Sequence, residues 1–511
     1  MNSRDLLVRQ RWLAGVAMGA LGLLTAGAVN AQDAAVSTAP ADRSAPPAPI
    51  DPREAKLEQL QSEVEELSAQ IGDLKAQMSS GLKDVRATQA AAQASAPKIS
   101  FPDGRPTFSS ADGNFKVALR TVVQFDAAHY DVDPRTASNN LSSGTDFRRA
   151  RFGFDATLYH DWNLGFLGEF GGRGVESAVL NQAYLEYAGF KSKGAAVRLR
   201  VGAWATPAGL EDATSNAEGV FVERPAVAEM VRNFAGGDGR AGAGAFINGA
   251  HWYLSGVLTG DVAGPLTSAE FGEQEGYLAR VAIDPLHGRD YDVHLGANIT
   301  GVIKPANTAA VAPVAEAVRL RERPESSVDD NSTRLVDTGA IAASGLTAYG
   351  LEAGASFKSL YLAGEWFKID VDRTGSTAGF NPSFDGWYVQ GSWTLTGERH
   401  VWTPSSGGFR GIKPNHLFDP GAGGWGAWEI AGRYSVLDLN DQAGLGGTPT
   451  PLGGVRGGVQ KITSAGINWY PNPVVRFLFD FQNVNVDRLS ATGASIGENV
   501  KIYTVRSQFA F

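Results

Sequence analysis

The sequence predicts an all-β protein, a 16-stranded antiparallel transmembrane β-barrel preceded by a short α-helical coiled coil. Three observations carry that reading. Apolar and polar residues alternate with period two from Asn114 to the end of the chain. The connections between the alternating segments tend to be long and short by turns. The last segment is aromatic and closes on Phe511.

The alternation is clear in several segments. Phe115, Val117, Leu119, Thr121, Val123 and Phe125 interleave with Lys116, Ala118, Arg120, Val122, Gln124 and Asp126. Phe152, Phe154, Ala156 and Leu158 interleave with Arg149, Arg151, Asp155 and Thr157, and Val197, Leu199 and Val201 with Arg198 and Arg200. Near the end, Val475, Phe477, Phe479 and Phe481 interleave with Arg476, Asp480 and Gln482. In water such a strand turns its apolar side to a core. In an outer-membrane barrel it turns that side to lipid and the polar side to the lumen.

Strand number and connection length separate the two. Candidate strands begin near Phe115, Phe147, Trp162, Leu180, Val197, Arg240, His251, Gly276, Asp290, Thr347, Leu360, Phe384, Trp425, Val459, Val474 and Lys501. Sixteen is an even number, as single-chain bacterial barrels have. Long connections follow strands 1, 5, 9, 13 and 15. Short ones, such as Tyr159-His160-Asp161 and Pro471-Asn472-Pro473, follow most even strands. Short periplasmic turns and long outer loops produce this parity, and a soluble sandwich does not. The stretch 396–424, after strand 12, breaks it and has no account in the sequence.

The terminus fits closure of a barrel. Tyr503, Val505, Ser507, Phe509 and Phe511 share one face, with Thr504, Arg506 and Gln508 on the other, so no free edge need remain. Trp162, Trp204, Trp252, Trp425 and Trp469 are expected in interfacial girdles.

Ahead of the barrel, residues 1–31 read as a secretory signal peptide. Arg4, Arg9 and Arg11 precede an apolar run that closes on small residues up to Ala31. An Ala/Pro-rich linker is expected over 32–55. Leu57, Leu60, Val64, Leu67, Ile71, Leu74 and Met78 are spaced three and four alternately, which places a coiled-coil segment at 56–90. Gly81 and the Ala/Gln/Pro stretch beyond it are expected to end that helix. A second linker takes 91–110, and the barrel 111–511.

Composition narrows the function. No cysteine is present, so no disulfide framework holds the exported chain. The formal charge of −9 becomes −11 once three Arg and one Asp leave with the signal. That argues against a nucleic-acid partner, which calls for a basic surface. Beyond Ala31 no apolar run approaches the ~20 residues of a spanning helix.

Four passages resemble the phosphate-selective porin O and P family. They are Phe147-Arg148-Arg149-Ala150-Arg151; Val201-Gly202 with Pro207-x-Gly209-Leu210-Glu211 and Phe221-Val222-Glu223-Arg224; Trp387-Tyr388-Val389-Gln390-Gly391-Ser392 with Leu395-Thr396-Gly397-Glu398; and Gly426-Ala427-Trp428-Glu429-Ile430-Ala431-x-Arg433-Tyr434-Ser435 with Asp438-Leu439 and Asn468-Trp469-Tyr470-Pro471. The resemblance implies a trimeric sixteen-stranded porin whose third outer loop folds inward to narrow the channel. By the strand count that loop is 205–239.

The lumen face can then be assigned by phase. Inward cations are Lys116, Arg120, Arg149, Arg151, Arg198, Arg200, Arg240, Arg280, Arg433, Arg476 and Arg506. Inward carboxylates are Asp126, Asp155, Glu169, Glu186, Glu352, Glu365, Glu429 and Asp480. Rows of guanidinium forks suit phosphate or carboxylate oxygens and pass anions between weak sites. The other reading pairs these charges across strands and makes them wall struts. The constriction loop holds Glu211, Asp212, Glu223, Arg224 and Arg232, with further acids at Glu218 and Glu229. No lysine lies between Lys193 and Lys304, so a lysine-based phosphate site is not available there.

The expected function is an outer-membrane porin, a passive diffusion channel for small solutes, with anion or phosphate preference as its finer form. The expected partners are outer-membrane lipid, small solutes and two further copies of the chain, with the coiled coil in the periplasm. A structural barrel tethering the envelope through that coil is one rival, and a barrel-hosted enzyme the other. No HExxH or GxSxG occurs, and the seven histidines are scattered without metal spacing. Gly421-x-Gly423-x-x-Gly426 has neither the strand nor the helix a dinucleotide site needs. No catalytic residue, cofactor or metal is therefore expected.

Overall fold

The structure, a computed structural model, describes residues 51–133, 141–172, 180–192, 194–263, 273–306 and 316–511. The signal peptide and most of the first linker lie outside these residues.

Helix α1 (Pro52–Ser95) begins inside the expected linker and outruns the expected segment 56–90 at both ends. The Asp51 carboxylate accepts the Arg53 N–H at 3.0 Å, and Pro52 takes the first helical position, where its missing N–H costs nothing. Gly81 does not end it, contrary to expectation. One interior glycine costs only about 1 kcal/mol relative to alanine, and the alanines from Ala87 to Ala94 are the best helix formers. The helix stops where Ala96 precedes Pro97 and is pushed out of helical conformation. All its side chains are exposed, including the whole Leu57–Met78 stripe. The following segment is not a plain linker either. Lys98–Ser100 pairs with Thr107–Ser109, which in turn lies along the first long strand.

Among the described residues, sixteen long strands form the barrel. They are β1 (Phe115–Asp133), β2 (Gly144–Leu158), β3 (Trp162–Glu169), β4 (Leu180–Ser192), β5 (Ala195–Trp204), β6 (Arg240–Asn248), β7 (Trp252–Val262) and β8 (Glu275–His287). Then come β9 (Tyr291–Lys304), β10 (Ile341–Phe357), β11 (Leu360–Arg373), β12 (Ser383–Thr394), β13 (Ala427–Asp441), β14 (Val455–Tyr470), β15 (Val475–Asp487) and β16 (Glu498–Ala510). Each pairs antiparallel with the next, and β16 returns to β1 with Gln508 opposite Gln124. The cylinder is closed, so its wall has no edge on which another chain could template.

Period two sorts the side chains as an outer-membrane wall requires. In β16, Ile502, Thr504, Arg506 and Gln508 are buried inside, while Tyr503, Val505 and Phe509 are exposed outside. Two departures stand out. Trp204 is not in a girdle: it shares the inward phase of Arg198 and Arg200 and is buried against Phe246 and Tyr253. Near the long-loop end, the inward positions of several strands are apolar. Ile369, Val371, Leu437, Leu439, Val484, Val500 and Ile502 are buried, not solvated. They meet an equally apolar set on the two loops that fill the lumen.

Candidate functional site: a lumen narrowed from both ends

Three segments enter the barrel. The first is the loop after β5, 205–239, with a short helix α2 (Leu210–Ala213) and a longer one, α3 (Ala226–Ala235). Val227 and Val231 of α3 are fully buried against the wall. Full burial of such side chains is worth about 1.5–3 kcal/mol each, so α3 is an anchored element. The wall also caps the loop's helices. Glu365 accepts the N–H groups of Leu210 at 2.7 Å and Glu211 at 3.0 Å, placing a carboxylate at the positive end of α2. Gly209 lets the carboxylate come this close, since a Cβ there would lie 2.1 Å from Glu365 Oε1 and push it off the two N–H groups.

The second segment is the loop after β9, of which 316–340 is described. Leu320, Val328, Leu335 and Val336 cover the apolar wall and α3. Glu325 accepts the Ala226 N–H at 2.9 Å, capping α3, and also bonds Arg433 at 2.5 Å and Ser435 at 2.6 Å.

The third segment explains the exception in connection length. The first part of residues 395–426 folds into the barrel from the short-turn end, as a hairpin of Trp402–Thr403 against Gly408–Phe409, while 415–423 stay exposed and Phe418 packs on Trp469. Arg280 donates to the carbonyls of Ser406 at 2.7 Å and Gly407 at 2.6 Å while bonded to Glu352 at 2.7 Å. Gly407 has φ +61°, and a Cβ there would press on Ala282 and Tyr253. The hairpin reaches the first loop: Thr214 Oγ1 donates to the Phe409 carbonyl at 3.2 Å, and Leu210, Val220, Phe221, Trp402 and Phe409 form one apolar cluster.

The charges can now be placed. Glu223 is gripped by Arg148 at 2.7 Å and Arg506 at 3.0 Å, with Arg149 at 3.9 Å. Burial alone would raise its carboxyl. Arg148, Arg149 and Arg506 more than reverse this and hold it well below the usual range. Asp212 binds Arg232 at 2.6 Å and Arg224 at 3.1 Å. Asp238 binds Arg151 at 2.5 Å and also Arg232. The acids of the loop are thus mostly taken up by arginines of the wall and of the loop itself. Glu211 and Glu218 are the exceptions. Glu211 meets Gln390 at 2.8 Å, and burial raises its carboxyl against the pull of Arg433 and Arg224; burial raises that of Glu218 as well.

On the wall, Arg200 pairs with Glu186 at 2.7 Å and lies over Tyr184. Arg151 also holds Glu169, and Arg433 holds Glu325. Arg240 reaches the carbonyls of Gly236 and Gly260, with Asp261 at 3.5 Å. Arg120 lies 3.2 Å from Asp155. Arg198 and Arg476 differ. Arg198 donates to the Ser405 carbonyl at 2.6 Å, and Arg476 to the Gly219 carbonyl at 2.7 Å. Among the described residues no carboxylate lies within 4.0 Å of either.

Phase reasoning missed several members. Arg148 enters the lumen because a bulge between Gln124 and Phe125 inserts it into β2. The adjacent pair Arg148-Arg149 was the only trace of this, since strict alternation sends one of the two outside. Arg105, Asp238, Glu325, Arg399 and Lys413 sit in connections, where no period assigns a face.

At the short-turn end the first and third segments and the stretch before β1 leave a vestibule of about 450 Å3, lined in part by Arg105, Arg120, Lys413, Arg476 and Glu218. A separate small cavity of about 10 Å3 lies among Arg149, Glu211 and Glu223.

A closed barrel with an apolar outer surface and a charged lumen narrowed by inward segments is the architecture of an outer-membrane channel. The chain belongs to the phosphate-selective porin O and P family, whose model matches residues 115–511. It is 23% identical over 415 residues to porin O of Pseudomonas aeruginosa, covering 79% of this chain and 90% of that one. It is 28% identical over 412 residues to an uncharacterized protein of Caulobacter vibrioides, covering 76% and 73%. Among solved structures, the anion-selective porin from Comamonas acidovorans is similar, with a TM-score of 0.44 and 13% identity over 78% of this chain and all of that one. The outer membrane channel DcaP of Acinetobacter baumannii gives 0.43 and 12%, over 78% and 98%.

Proposed function

We propose that this outer-membrane channel passes small solutes by diffusion, with a weak preference for anions set in the vestibule and not by the acidic loop. The vestibule's excess of cations carries this reading. Arg105 and Arg120 share the single carboxylate of Asp155, at 2.6 and 3.2 Å, and Arg476 faces the cavity with carbonyls as its partners. Lys413 is balanced by Asp103 at 2.6 Å. Burial raises the Glu218 carboxyl against the pull of the Gly411 N–H and Arg410. Guanidinium groups bonded only to carbonyl oxygens keep their charge available to a passing phosphate or carboxylate. Most other arginines of the lumen, including Arg151, Arg200, Arg280 and Arg433, are struts whose field is cancelled by a carboxylate.

The test is the reversal potential across a tenfold KCl gradient in planar bilayers. Arg476→Gln should shift it toward cations, more at low salt, because the Debye length is ~30 Å at 0.01 M and ~3 Å at 1 M. Equal values in dilute electrolyte would remove the vestibule from the mechanism.

The functional assembly in this reading is a homotrimer. The exposed stripe of α1 would be covered by the same stripe of the other two subunits, as a periplasmic coiled coil. A second reading follows from the filled lumen: a barrel serving mainly as an envelope tether, with negligible conductance. Single-channel recording separates the two.

A further inference from the structure

Two of the scattered histidines are brought together by the barrel register. His251 precedes β7 and His287 ends β8, and their rings stack with centroids 3.5 Å apart and planes 8° apart. Asp284 of β8 lies buried against them. Its Oδ2 is 3.3 Å from His251 Nδ1 and 3.9 Å from His287 Nδ1. Its Oδ1 accepts the Val293 N–H at 3.1 Å, and its own N–H donates to the His251 carbonyl at 2.9 Å. The β7–β8 ladder therefore sets Asp284 opposite His251, at the end of the barrel that carries the short turns.

We propose that His251, Asp284 and His287 form a site for one divalent transition-metal ion of the Zn2+ class. Two imidazoles and a carboxylate are a donor set that suits such ions. Tetrahedral coordination with bonds of about 2.0–2.1 Å puts donor atoms roughly 3.3 Å apart. The His251–Asp284 pair already has that separation, and donor atoms of all three residues lie within 4.8 Å of one another. The carboxylate is the fixed member: the Val293 N–H orients it, as outer-shell hydrogen bonds orient metal ligands. The imidazoles are the adaptable members. A ring nitrogen must aim its lone pair at the ion, so the parallel stack has to open. Both side chains are 45% exposed, which leaves them room to turn and the ion a path from solvent. Asp292, paired with His287 across the β8–β9 turn, is held by Arg399 at 2.6 Å and stays outside the donor set. The position left open on the ion would be filled by water.

A tag-free, full-length protein stripped with EDTA is titrated with Zn2+ against a chromophoric chelator. One tightly bound ion per chain is expected. His251→Ala and His287→Ala should each weaken it by more than about 100-fold, beyond the ~10–100-fold that loss of a supporting hydrogen bond costs. Both are exposed rim positions, and heat-modifiable migration on gels verifies that each variant folds. Co2+ substitution should give the visible absorption of a tetrahedral site in the wild type and not in the double variant. Uptake of Zn2+ to the same extent by wild type and double variant, or none by the wild type, would overturn the proposal.

Discussion

Leu199 and Arg200 are neighbours in β5 and face opposite surroundings. Leu199 is 45% exposed on the outer surface, and Arg200 lies inside on Glu186. Leu199→Arg should block barrel assembly in large part, since a charge on the lipid face near mid-bilayer costs ~2–4 kcal/mol. Arg200→Gln should still fold, because Glu186 keeps the Asn163 amide at 3.1 Å, and should lose about 1.5–3 kcal/mol with the charged hydrogen bond. Heat-modifiable migration of the two variants reads both effects; the reverse order would exchange inside and outside. At this scale the alternation was legible for Arg149, Arg151, Arg198 and Arg200, whose neighbours mark the phase. It was not legible for Arg148, because a bulge is a local slip that only the partner strand reveals. Nor could it tell strut from free cation. Arg200 and Arg198 look alike in sequence and differ only in what the neighbouring strand and the hairpin bring to them.

The inward loops show the same limit for whole elements. Residues 395–426 break the parity of connection length, yet nothing in their composition says that their first part turns into the barrel. What holds it is Arg280, a wall residue far away in sequence. The loop after β9 carries a testable charge. Burial, with Glu229 and Glu223 adding to it, pushes the Glu322 carboxyl up to about 8 from an ordinary 4.5, against Arg334 and the Arg323 N–H. The docked loop then keeps a proton that the undocked loop gives up. Docking is strongest below about pH 4.5, weakens as pH rises through that interval and levels off above about 8. Each unit of such a shift corresponds to about 1.4 kcal/mol, a tenfold change in the ratio of docked to undocked. Single-channel current should therefore rise between pH 5 and pH 9, and Glu322→Gln should flatten the profile. A variant that keeps the full pH dependence would assign it to another group.

For the whole molecule, the barrel and α1 are separable expectations. Deleting 56–90 should leave a barrel that folds and conducts but whose oligomer dissociates at lower temperature or detergent concentration. The intact protein should be trimeric by native mass measurement; a monomer in mild detergent would remove the trimeric coil. The sequence by itself determined the class of fold, the number of strands, their approximate positions and, Arg148 and Trp204 apart, which face of each turns outward. These follow from a two-residue period and a lipid solvent, and both act on every strand locally. Only the tertiary structure decided what fills the lumen: the apolar layer around Ile369 and Leu437, the hairpin on Arg280, and the union of Glu223 with Arg148 and Arg506. The reason is that a closed wall brings together residues from strands and loops hundreds of positions apart. Pairing among them is set by distance across the lumen, a quantity that no local period encodes.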